Sequence, residues 1–76
     1  MKEKQWWIFT FGYGQKYQNH YVRIYGTFDS ARQKMFDKYG SEWSFQYTEP
    51  EWNQWEKERP SYLPTEEMLE EIGEED

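Results

Sequence analysis

Few residues of this chain have the types or spacing to do covalent chemistry. His20 is the only histidine, and there is no cysteine. No His–His, His–carboxylate or thiolate spacing therefore suggests a metal site, and His20, at the start of a strand-like run, reads as structural. Ser30, Ser41, Ser44 and Ser61 have no nucleophile-elbow context. Gly12-x-Gly14 leads into a second strand, so the helix N-terminus that a phosphate cradle needs is missing. Glu66/Glu70 and Glu67/Glu71 are spaced by four. Hard cations, however, draw ligands from several directions, so these read as a solvated acidic face. The expectation is a non-enzyme with no metal and no cofactor.

Two groups of residues suit binding instead. The first is acidic: Glu49, Glu51, Glu56 and Glu58, interleaved with Trp52 and Trp55, which would be natural interface anchors. The second is aromatic: Trp6, Tyr21, Arg23 and Tyr25 fall on one face of two strands. Aromatics and an arginine on an open sheet can stack single-stranded bases. The charge layout favours the first group. The net charge is −6 and it is unevenly spread. Residues 1–40 hold seven basic and three acidic side chains, whereas residues 41–76 hold two basic and twelve acidic ones. The acidic half would repel phosphate, so nucleic acid is an unfavoured partner. A basic protein surface is a favoured one, approached under electrostatic steering.

The elements that must position these groups are legible from pattern. Aromatics make 22% of the 76 residues, while Leu, Ile and Val total six. So short a chain without disulfides has to build its core from large rings. Gln5 to Gly12 and His20 to Gly26 read as strands joined by a polar loop. Thr27 to Gly40 reads as a helix with an N-terminal cap and a glycine stop, its stripe formed by Ala31, Met35 and Tyr39. Trp43 to Thr48 alternates aromatic with polar, as a half-buried strand does. Thr48-Glu49-Pro50-Glu51 is a capping-box pattern opening a short helix to about Lys57. Thr65 to Ile72 suggests two further helical turns.

The expected fold is α+β: a three-stranded antiparallel-type sheet (β-β-α-β) with strand one central, one packed helix and a helical acidic C-terminal extension. The division would be a core domain over residues 1–59 and an extension over residues 60–76. Alternation puts Trp7, Phe9, Phe11, Val22, Ile24, Trp43, Phe45 and Tyr47 on the helix-facing side. Phe9, Phe11, Ile24, Met35 and Phe45 should be nearly inaccessible. The opposite face would be covered by Trp52, Trp55, Tyr62 and Leu63. No stretch approaches the roughly 20 apolar residues of a membrane span. Residues 1–5 lack a leader pattern. Both readings suit a cytoplasmic protein.

Phe9-Thr-Phe-Gly-Tyr-Gly14 and the run Ala31-Arg32-x-x-Met35-Phe36-x-x-x-Gly40-x-x-Trp43-x-Phe45-x-Tyr47 resemble small, mostly uncharacterised proteins encoded by phages and prophages. The resemblance spans residues 8–52. It consists of core and turn residues and carries no activity. It implies a short product that acts on host machinery by binding. Joined to the acidic surface, it suggests an inhibitor of a host nucleic-acid-dependent or defence protein. The alternatives are a single-stranded nucleic-acid binder using the aromatic sheet face, and a small phage structural or assembly protein.

Overall fold

The computed structural model describes residues 3–62 and 66–73. The chain runs β1 (Gln5–Thr10), β2 (His20–Gly26), α1 (Phe28–Tyr39), β3 (Phe45–Thr48), α2 (Glu49–Glu58) and β4 (Glu67–Ile72). The strands form one mixed sheet in the order β3-β1-β2-β4. β1 is antiparallel to both β2 and β3, and β4 runs parallel to β2.

α1 begins at a reciprocal cap, in which the Thr27 hydroxyl accepts from the Ser30 N–H and the Ser30 hydroxyl accepts from the Thr27 N–H. It ends at Gly40, whose φ of 62° is costly for a residue with a Cβ. The helix lays Ala31 and Met35 on Trp7, Phe9, Phe11, Val22 and Ile24. Ring edges fill this core: Phe9 meets Trp43 at 5.2 Å and Phe11 meets Tyr39 at 5.5 Å, both near the T-shaped geometry that ring quadrupoles prefer. The Trp7 indole donates to the Gly26 carbonyl at 3.0 Å, which satisfies a buried N–H. Gly26 itself has φ 157°, and a Cβ there would lie 2.6 Å from the Ser30 hydroxyl.

The expected three-stranded architecture is corrected in three places. The sheet has four strands, because residues 67–72 form a parallel edge strand and not helical turns. A register shift between Tyr21 and Val22 explains how. The extra residue turns Leu69, Glu70 and Ile72 toward α1, although Leu69 and Ile72 are three apart. Leu69 and Ile72 pack against the main core. Secondly, the sheet carries two packed helices. α2 lies over β1 and β3 on the face opposite α1, with Trp52 only 4% exposed.

Thirdly, Phe45 is 61% exposed and not a core residue. Strand alternation does not extend back to Trp43, which precedes β3 and packs on the α1 side against Phe9 and Phe36. Within β3, Phe45 and Tyr47 pair with Thr10 and Ile8, which place them on the α2 side. Phe9, Phe11, Ile24 and Met35 are buried as expected. Of the expected cover for the second face, Trp52 provides it. Trp55 is 37% exposed and Tyr62 83% exposed, and Leu63 lies outside the described residues. Among the described residues no helix is long and apolar enough to cross a membrane.

Candidate functional site

α2 is positioned from both ends of its first two turns. Thr48 and Glu51 form a capping box, and Pro50 occupies the first turn. The Thr48 backbone N–H, helped by its hydroxyl, holds Glu51 below the usual carboxylate range. One turn on, Trp52 is set between Tyr21 at 5.0 Å and Tyr47 at 6.0 Å. This contact fixes which way the remaining α2 side chains point.

The acidic candidates therefore separate. Glu49 turns inward and accepts from Arg23. Glu56 borders the sheet with Arg59 3.9 Å away. Glu51 and Glu58, like Glu56, are exposed, Glu58 accepting from Gln54 one turn earlier. Trp52 is too buried to serve as a free anchor, while Trp55 keeps a partly exposed ring and hydrogen-bonds Glu66.

The aromatic candidates come together on β1 and β2. The Arg23 guanidinium lies 3.9 Å over the Trp6 ring, and Tyr25 meets Trp6 edge-on at 5.3 Å. Arg23 also donates to Glu71 of β4 at 2.7 Å. Burial pulls the Arg23 pKa down, but its hydrogen bonds to the two carboxylates outweigh this, and the net direction is up. Arg23 thus joins the two groups that the sequence presents as alternatives: it connects α2 through Glu49 and β4 through Glu71.

Two residues of this surface escape sequence reasoning. Glu66 and Glu71 read as part of a solvated tail, yet parallel pairing of β4 places Glu71 beside Arg23, and Glu66 immediately precedes that strand. Burial pushes the Glu66 carboxyl up, with Arg59 opposing and Glu56 adding to the rise. Burial also pushes the Tyr21 phenol up, and Glu56, Glu71 and Glu66 add to it against Arg23. The only signal in the sequence was the excess of acids after residue 60.

β4 is clipped to the other side of the sheet by Glu70, which accepts from Lys38 at 2.6 Å and from Tyr39 at 2.7 Å. The Lys38 and Tyr39 hydrogen bonds lower the Glu70 pKa. Its stabilising contribution is thus complete above the ordinary glutamate pKa of about 4.3 and is lost as pH falls through the depressed folded value. Glu70→Gln should loosen the strand without unfolding the core. Amides of residues 67–72 should exchange faster than wild type at pH 7, and the difference should vanish in strong acid. Unchanged exchange at pH 7 would show that this clip does not hold β4.

Comparison of the chain with protein-family models, with curated proteins and with solved structures gives no match.

Proposed function

We propose that this protein is a non-enzymatic binder that engages a basic, nucleic-acid-handling protein through the acidic surface built by α2 and β4. The supporting observation is that carboxylates from two elements distant in sequence, Glu49 and Glu56 of α2 with Glu66 and Glu71 at β4, gather around Tyr21 and Arg23. Acids arranged in this way compete with phosphate for a basic groove, and occupancy of that groove excludes the nucleic acid. The consequence is inhibition, in keeping with the phage-like resemblance of residues 8–52, and a host nucleic-acid-dependent or defence protein is the target this reading names.

The aromatic-face alternative has less support. The cation it needs is already held by Glu49 and Glu71, and Tyr21 lies against Trp52. The test compares two retentions at about 0.15 M salt, where charges are screened over about 8 Å. The wild-type chain should capture from bacterial lysate a basic protein that added duplex DNA displaces. Replacing Glu56 and Glu66 by Gln should slow that association. Micromolar retention of the chain on a single-stranded oligonucleotide would sink the reading and promote the alternative.

A further inference from the structure

α2 covers β1 and β3, and reaches β2 only at its margin, through Trp52 on Tyr21 and Glu49 on Arg23. Beyond that margin, Tyr21, Arg23 and Tyr25 of β2 and the neighbouring Trp6 remain half-buried, and Met68 on β4 is exposed. Among the described residues this strip of the sheet has no helix over it. It forms a trough with α2 as its wall and β2, with its sheet neighbour β4, as its floor. Against the α2 wall is a cleft of about 160 Å³ between Tyr21, Arg23, Trp52, Glu49 and Glu56. Ligand pockets for drug-sized molecules run to about 300–1,000 Å³, so this volume suits one side-chain head and not a nucleotide or a cofactor.

The trough already shows how it treats an arginine. The Arg23 guanidinium lies over Trp6 and is held from both sides, by Glu49 of α2 and Glu71 of β4. That is the stacked, carboxylate-bound geometry in which a guanidinium outperforms an ammonium. The charge around it is not balanced. Glu49, Glu56, Glu66 and Glu71 surround the strip, against Arg23 and Arg59 as the internal guanidiniums. The neighbouring cleft, bordered by Tyr21, Trp52 and Glu56, again offers aromatic rings and a carboxylate, with Arg23 already paired to Glu49 and Glu71 in its lining.

We infer that the trough over β2 is the seat for an arginine side chain of the basic partner, its guanidinium entering the cleft bordered by Tyr21 and Trp52 and held by Glu56. This rests on the acidic-surface reading and adds to it the residue type that is recognised and the place where it sits. The partner segment would lie along β2 between α2 and β4, with complementary charge on both sides.

The probe is a short peptide alternating glycine and arginine, with citrulline and lysine versions as controls, titrated into the full chain at about 0.15 M salt. The arginine peptide should shift the ring resonances of Tyr21 and Trp52. The citrulline peptide, which keeps the shape and loses the charge, should not. Glu56→Gln with Glu71→Gln should weaken arginine-peptide binding by about tenfold. Glu51→Gln with Glu58→Gln removes the same charge from the outward face of α2 and should leave binding within about twofold, as screened charges away from the contact do. Unchanged backbone spectra of both variants establish that each is folded.

Equal weakening by the two pairs would overturn the trough as the seat while leaving the acidic-surface reading intact. Equal affinity for the lysine peptide would overturn the arginine assignment. Absence of any arginine-peptide shift would overturn the inference, whereas the acidic-surface reading stands or falls separately on the DNA-displaceable capture.

Discussion

Phe9→Ala is expected to cost about 3–5 kcal/mol, the usual range for emptying a buried aromatic site. Phe9 is fully inaccessible, pairs across the central strand, and meets Trp43 edge-on beneath α1. The surroundings have little freedom to collapse, because Val22, Ile24, Ala31 and Met35 are themselves fully buried. A domain of 76 residues commands only about 4–11 kcal/mol in all, so the variant should be largely unfolded at modest urea concentrations. Phe45→Ala supplies the contrast. Its ring is 61% exposed at the sheet edge, so its loss should stay within about 1 kcal/mol. The same chemical change thus separates the two residues by several-fold in stability. Urea midpoints for both variants measure it. Equal losses would place Phe45 in the core and refute the pairing of Phe45 with Thr10.

This contrast also shows what the sequence could convey. Elements whose boundaries are set by local chemistry were legible: the Thr27 cap and Gly40 stop of α1, the Thr48–Glu51 box of α2, and the strand propensities of β1 and β2. The face of Phe45 was not, because period-two alternation predicts a face only within one uninterrupted strand. Ser44 marks the interruption: its N–H donates to the Thr10 carbonyl at 2.8 Å just before β3 begins, and Trp43 lies beyond it. β4 was hidden for a different reason. Its glutamates are good helix formers, and Met68, Leu69 and Ile72 fit a helical stripe. What makes the segment a strand is tertiary: the open edge of β2, the core contact of Leu69 and Ile72, and the Lys38, Tyr39 and Arg23 partners of Glu70 and Glu71. None of these lies near in sequence. The candidate site shares that limit. Glu49 and Glu56 were legible as an acidic helix, but their meeting with Arg23, Glu66 and Glu71 depends on β4.

Trp52→Ala should have a comparable thermodynamic cost, about 3–5 kcal/mol, and a different structural result. α2 has ten residues, fewer than the roughly 12–15 at which even favourable isolated helices become marginal in water. Its capping box secures the first turn but cannot hold the helix on the sheet. Trp52 is the one buried residue of α2, and its ring meets Tyr21 and Tyr47 on separate strands. Removing it should release α2 while the core beneath α1 persists. Amide exchange of residues 49–58 should approach that of an unstructured segment, with the amides of β1 and β2 still protected. The trough would lose its α2 wall at the same time, since Glu49 and Glu56 are held in place by the docked helix, and arginine-peptide binding should fall with it. Trp52→Phe keeps a ring in the site and should recover most of the protection. If α2 amides stay protected in Trp52→Ala, the helix is held by something other than this tryptophan. The acidic wall would then be independent of the aromatic cluster that here positions it.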